Sequence, residues 1–384
     1  MDDSQYWQDD DIDAAVLPDE IEFHQIIEAL LDENNPFAPR YIYRLSDLEG
    51  EDLHQLEATW LKVPAWRRQA LMKDMQMLCE KDFLLSFEAA GRLALIDPDP
   101  KVRFSAVRML IENECETSDL VDVYMDLMDN DIDANVRAIS TQALGQFVYL
   151  AEMGTLLAQE KRELEERLLS VALGEDSPEV KRSALEALGF SSRDEVLSLI
   201  ENALNSSDQV WQVSALIAMG RSANDFWRPQ VMSMLKHTSP LIQTEAARAA
   251  GELVIEEASA SLFDLVDDTN EETSTAALWA LSQIGGKEVR KILQDRLNAA
   301  EDDSEVSFLE SALENLDFMD GLGELGLMGV EDINWDEPYA HQDEEDDFYY
   351  NDELKDNEGD LDDERDGFYY EDDLDEDAFD SLLK

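Results

Sequence analysis

Cationic side chains are scarce in this sequence: 29 Lys and Arg stand against 91 Asp and Glu, a formal net charge of −62 over 384 residues. A phosphate-binding surface needs a localised basic cluster to outweigh so negative a body, and none stands out, so nucleic acid is excluded as a partner. The same charge repels an anionic membrane surface. Cysteine is limited to Cys79 and Cys115, too few for a disulfide framework in a chain this long. No stretch offers the roughly 18 consecutive apolar residues that span a bilayer. The start, Met1-Asp2-Asp3-Ser4-Gln5-Tyr6-Trp7, lacks the basic and then apolar pattern of a signal peptide. The reducing cytoplasm is the expected setting. With 16 Gly and 10 Pro the chain has few interruptions, which favours long helices over turn-rich strands.

Chemistry-bearing constellations are also sparse. His24, His54, His237 and His341 lie far apart, with no Cys or second His at ligand spacing, so no metal is expected. Asp129-Asn130-Asp131-Ile132-Asp133 opens like a calcium loop, but Ala134 stands where the sharp turn needs Gly and Ser140 where a bidentate Glu closes such a site. Gly321-Leu322-Gly323-Glu324-Leu325-Gly326 satisfies the spacing of a dinucleotide fingerprint. That loop works only between a buried strand and a helix, and here it follows a helix and precedes an acidic tail. No catalytic residue and no cofactor are assigned.

What the chain does contain is a repeat. VKRSALEALG (180–189), WQVSALIAMG (211–220) and IQTEAARAAG (242–251) recur with a period of 31 residues, marked by Gly189, Gly220 and Gly251 and by Ala184, Ala215 and Ala246. TSTAALWALS (273–282) keeps Ala277 and has Ser282 in place of the glycine, and VRAISTQALG (136–145) and VRFSAVRMLI (102–111) fit upstream. Apolar residues at the first, fifth, sixth and ninth positions form a helical stripe. A second amphipathic run precedes each copy, so the unit is a helical hairpin that buries its apolar face only by stacking on its neighbours. Pro100 and Pro178 open second helices behind turn Asp and Ser caps, and EKRELEERLLSVAL reads as an extended first helix. The expected fold is all-α: an α-solenoid, or superhelix, of stacked hairpins with a disordered acidic C-terminal tail.

The turn Asp, the Val-Arg that follows it and the small-Leu-Gly ending resemble HEAT-like repeats of the short type found in phycobilisome lyases, over residues 97–317. The resemblance implies a ladder of turn Asp and second-helix Arg, which by position is Asp97 with Arg103 and Asp131 with Arg137. From Lys181 onward the basic residue gives way to Gln212, Gln243 and Ser274. It also implies two lines of function, a bilin lyase-like enzyme and a binding scaffold.

Around the repeats, residues 1–17 form an acidic extension and 18–96 divergent helical capping repeats. Residues 318–330 form a glycine-rich linker and 331–384 the tail. Ser46-Asp47-Leu48-Glu49 reads as a capping box. The tail holds 25 acidic residues against Lys355, Arg365 and Lys384, and repeats an aromatic element, Phe348-Tyr349-Tyr350 and Phe368-Tyr369-Tyr370. The third and seventh template positions fall opposite the buried fifth and ninth. They place Phe104 and Arg108, Ala138 and Gln142, Arg182 and Glu186, Val213 and Ile217, Thr244 and Arg248, and Thr275 and Trp279 on one strip. Arg108, Arg182, Val213, Ile217, Arg248 and Trp279, with the six tail aromatics, are the expected protein-binding residues. A non-enzymatic scaffold or adaptor is the expected function, with an acidic chaperone shielding a basic client protein as the alternative.

Overall fold

The computed structural model describes residues 21–324 apart from Glu80, Lys81, Phe83, Glu114 and Glu301. Among them the chain forms eighteen α-helices and no strand. An N-terminal group comprises α1 (Phe23–Leu31), α2 (Arg40–Tyr43), α3 (Gly50–Thr59), α4 (Ala65–Cys79) and α5 (Glu88–Ala94). Then come α6 (Pro100–Glu112), α7 (Asp119–Asn130), α8 (Ala134–Glu152), α9 (Ala158–Leu173), α10 (Pro178–Leu188), α11 (Asp194–Leu204) and α12 (Gln209–Arg221). The series ends with α13 (Arg228–Met234), α14 (Pro240–Glu252), α15 (Ser259–Leu265), α16 (Glu271–Ile284), α17 (Lys287–Ala299) and α18 (Asp303–Glu324). No helix of the described residues is long and apolar enough to cross a membrane.

Even-numbered helices from α4 to α18 stack on one another in a continuous row, and from α5 onward each odd-numbered helix packs on the even helix that follows it. This is an α-solenoid of hairpins. The six template copies all lie in the even row, on α6, α8, α10, α12, α14 and α16. The 44-residue interval between the second and third copies is taken up by the nineteen residues of α8 and the sixteen of α9. Caps start the row helices. Asp99 accepts the Lys101 N–H with Pro100 at the first helical position, Asp133 accepts from Asn135 and Val136, and Ser177 accepts from Val180 ahead of Pro178.

The repeated glycine has a packing cause. A Cβ at Gly189 would lie 2.7 Å from Ala218 Cα, and one at Gly251 would lie 2.8 Å from Ala280 Cα; at Gly145 and Gly220 the opposing atoms are Ala187 Cα and Ala249 Cα, both at 3.2 Å. Position ten of one copy therefore meets position eight of the next, backbone against backbone. Ala187, Ala218, Ala249 and Ala280 are all buried. Where Ser282 replaces the glycine, α18 packs less extensively on α16, and Asn315 reaches across to donate to the Ser282 carbonyl at 3.1 Å.

A ladder of ion pairs ties the turns together, in a register that differs from the expected one. Arg103 makes a bidentate pair with Asp131 at 2.7 Å, and Arg137 with Asp176 at 2.7 and 3.0 Å, so each carboxylate belongs to the following repeat. Each Arg meets its own turn through the backbone, Arg103 donating to the Asp97 carbonyl and Arg137 to the Asp131 carbonyl. Asp97 is taken by Arg68 of α4. Beyond Asp176 the substitutes keep only the carbonyl bond: Gln212 donates to Leu204 and Ser206, Gln243 to Leu235 and Ser274 to Val266.

Two further expectations are corrected. Ser46 does not cap a helix; its hydroxyl accepts the Ser86 N–H and bonds Asp47, and positive φ at Asp47 (51°) and Gly50 (55°) delays α3 to Gly50. The expected linker at 318–330 begins inside α18, which runs to Glu324, since isolated glycines cost a propagating helix only about 1 kcal/mol each. Residues 1–17 and the tail, with Phe348, Tyr349, Tyr350, Phe368, Tyr369 and Tyr370, lie outside the described residues.

Candidate functional site

The face of the even row turned away from the odd helices carries most of the residues picked out by the template. Arg108, Gln142, Arg248 and Thr275 are exposed, and Phe104, Arg182, Glu186, Val213, Ile217 and Trp279 are half-buried. Ala138 and Thr244 are buried instead, the first because a methyl does not reach past its neighbours, the second because its hydroxyl bonds that of Thr273 at 2.8 Å. The strip is therefore a surface interrupted at two places.

Its arginines differ in what they touch. The Arg182 guanidinium lies over the Trp211 ring, 5.9 Å from the centroid, and Arg248 pairs with Glu245 at 2.9 Å. Arg221, which the template did not select, lies 5.1 Å from the Phe190 centroid and donates to the Glu186 carbonyl, while Ser214 donates to the Glu186 carboxylate at 2.5 Å. Arg108 forms no ion pair or hydrogen bond among the described residues. Carboxylates thus alternate with arginines along the middle of the row, and the surface there is not simply basic.

Two grooves open at the ends of this face. One, of about 520 Å³, is bounded by Arg248 and Glu252 of α14, Glu271, Glu272 and Trp279 of α16, and Phe308 of α18. It lies where the weaker α16–α18 packing leaves room. Gly251 admits the Trp279 ring as well as Ala280, for a Cβ there would sit 2.7 Å from the indole edge. The other groove, of about 440 Å³, lies between α4 and α6 and is lined by Trp66, Lys73, Met77, Phe104 and Arg108 among others, with no Asp or Glu. Trp66, Lys73, Glu252 and Phe308 were missed in the sequence because they fall outside the ten-residue copies; the tryptophan beside two arginines in Ala65-Trp66-Arg67-Arg68 is the signal that could have been followed.

Glu252 is exposed as a residue, but its carboxylate folds down over the Gly220 backbone, where a Cβ would collide with its Oε2. Burial there pushes its pKa up to about 7, with Arg221 and Arg248 opposing and Glu245 adding to the rise. A carboxyl whose folded pKa lies above its ordinary value near 4.5 favours the native state while protonated, below about pH 4.5. That contribution is lost as pH rises to about 7. Thermal melts of wild type and Glu252→Gln across this range should converge at low pH and separate near neutrality, the variant being the more stable there.

Among the described residues no group of His, Cys, Asp and Glu converges to hold a metal ion. Cys79 and Cys115 are free thiols and buried, and burial pushes Cys115 up to about 12, so that thiol stays protonated at neutral pH. What the geometry supplies is open surface with aromatic and charged side chains.

Residues 228–314 match the family of HEAT repeats. No curated protein matches the chain. Among solved structures the chain is similar to the complex of CpcE and CpcF of phycocyanin lyase from a Nostoc species, at 14% identity over 74% of this chain and 97% of that one, with a TM-score of 0.43. It is similar to human deoxyhypusine hydroxylase at 18% identity over 71% of this chain and 98% of that one, with a TM-score of 0.30. Importin beta is 12% identical over 81% of this chain and 49% of its own, with a TM-score of 0.37.

Proposed function

We propose that this HEAT-repeat protein is a non-enzymatic protein-binding scaffold and that the partner lies along the exposed face of the even-numbered helices. The observation that carries the reading is the groove bounded by Trp279, Phe308 and Arg248. The half-buried Trp279 ring lies there against the Gly251 backbone, which lowers the side-chain ordering that binding a partner costs. Trp and Arg dominate the energetics of measured interfaces, the more so where the ring is already fixed. Arg182, Val213 and Ile217 extend the same surface toward α10 and α12.

The chemistry of this groove favours a basic partner segment, since Glu252, Glu271 and Glu272 flank the two rings while Arg248 is already paired with Glu245. That observation supports the second reading, an acidic chaperone for a basic client, in which the 331–384 tail adds charge. Capture from native lysate by the full chain and by a chain ending at residue 330 separates the two. Loss of a basic client on truncation assigns shielding to the tail, and its retention assigns it to the helical face.

Trp279→Ala should weaken binding of the captured partner by about 2 kcal/mol with the helical circular dichroism unchanged. Unchanged affinity, or a cooperative loss of fold, would count against the groove as the binding centre.

A further inference from the structure

Lys73 and Arg108 stand apart from the other cations of the even-helix face. Both are exposed, and among the described residues neither forms an ion pair or hydrogen bond, whereas Arg182 is stacked on Trp211 and Arg248 is paired with Glu245. They share the groove between α4 and α6 with Trp66, Phe104 and Met77, and no carboxylate lines it. On a chain with three times as many acidic as basic residues, a carboxylate-free groove holding two unpaired cations is a local reversal of charge.

Trp66 is a built anchor. The Arg67 guanidinium lies 4.8 Å from its ring centroid. Arg67 is itself buried and fixed by donation to the carbonyls of Ala29, Leu30 and Asn35, which ties the end of α1 to α4. Trp66 is 56% exposed, so the residue that carries the Arg67 contact also remains open to a partner. A rigid aromatic side chain of this kind gives a large contact area with little entropy to lose.

We propose that this groove binds an acidic peptide segment of a partner protein that carries an aromatic side chain, its carboxylates meeting Lys73 and Arg108 and its ring packing between Trp66, Phe104 and Met77. The inference rests on the scaffold reading and adds the chemistry of one partner segment. Charge complementarity selects the occupant: a basic segment would leave both cations repelled, and an uncharged one would leave them unpaired. At physiological salt the Debye length is about 8 Å, so distant carboxylates of the body are screened while the contacts within the groove are not. Near the groove, Asp74 adjoins Lys73 and Glu112 lies one turn beyond Arg108; burial raises the Asp74 carboxyl above its ordinary range, which reduces its opposition.

The test measures fluorescence anisotropy of labelled peptides with the full chain. Three peptides of equal length are compared: alternating Asp and Glu with two Phe, the same with Ser for Phe, and the same with Lys for every acid. The first should bind at least about tenfold more tightly than either other. Arg108→Glu and Trp66→Ala should each weaken it by about tenfold, with circular dichroism unchanged because neither side chain supports the core; Arg108→Gln should fall between. Trp279→Ala should leave it unaffected. Indifference of the first peptide to Arg108→Glu and Trp66→Ala, a preference for the Lys peptide, or displacement by oligouridylate overturns the assignment of this groove. Failure of Trp279→Ala and Arg108→Glu to alter capture of the native partner overturns the scaffold reading itself.

Discussion

Asp97→Ala should remove about 3–5 kcal/mol of stability. The Asp97 carboxylate is fully buried and takes four donors: Arg68 Nε at 2.7 Å and Nη2 at 2.9 Å, the Trp60 indole N–H at 2.8 Å and the Asp99 backbone N–H at 2.8 Å. Arg68 is itself only 5% exposed. Truncation strands its guanidinium inside the protein with only the Val63 carbonyl left to it, and strands the indole N–H as well. The cost is that of an unpaired buried charge, much larger than the net worth of the pair when intact. Asp97→Asn keeps two polar atoms in place and should cost less. The control is Asp119→Ala, which breaks an exposed pair with Arg92 and should cost under about 1 kcal/mol. Urea titration followed by circular dichroism measures all three. If Asp97→Ala and Asp119→Ala lose similar amounts, the buried cluster is not what joins α4 to the first turn of the repeats.

Gly189→Val should cost about 3 kcal/mol, at the upper end of overpacking penalties. The obstruction is main chain, since a Cβ at Gly189 meets Ala218 Cα at 2.7 Å and the Ala218 carbonyl oxygen at 3.0 Å. No rotamer change relieves contact with a helix backbone, so α10 and α12 must separate. Backbone strain at the glycine itself contributes nothing, because its φ of −52° suits any residue. The same change at Gly154, which has φ of +82° and open space around it, tests conformational strain without crowding. A melting temperature for Gly189→Val equal to that of wild type would refute the close backbone seam.

The helical hairpins were legible because period and stripe are local properties: six copies of one ten-residue pattern fall on six helices of a single row. The strip was legible in part for the same reason: Arg108 and Arg248 are exposed and Arg182, Val213, Ile217 and Trp279 half-buried, while Ala138 and Thr244 in the same helical phase are buried. What spacing does not carry is the contact from one repeat to the next. The pairing of Arg103 with Asp131 instead of Asp97 is a matter of how far neighbouring hairpins are offset, and that offset is set by the Gly–Ala seam, whose two halves lie 29 residues apart in the chain as Gly189 and Ala218. The grooves were hidden likewise. Each draws on an element outside the template, Trp66 on α4 and Phe308 on α18, and Ser46 shows how a cap motif loses its helix when a distant N–H, that of Ser86, claims its hydroxyl.

The seam has a direction. Each glycine accepts the alanine of the following repeat, and the two partners are never alike, so the contact is head-to-tail and has no symmetry that would close it. A joint of that type polymerises if its last acceptor stays open, producing filaments of chains instead of a finite molecule. Ser282 occupies the place of the next glycine, and α18 lies over it with Asn315 bound to the Ser282 carbonyl. The run of Gly–Ala contacts therefore stops at Ser282, where the contact to the next row helix is made by the Asn315 amide of α18 and not by a second backbone seam.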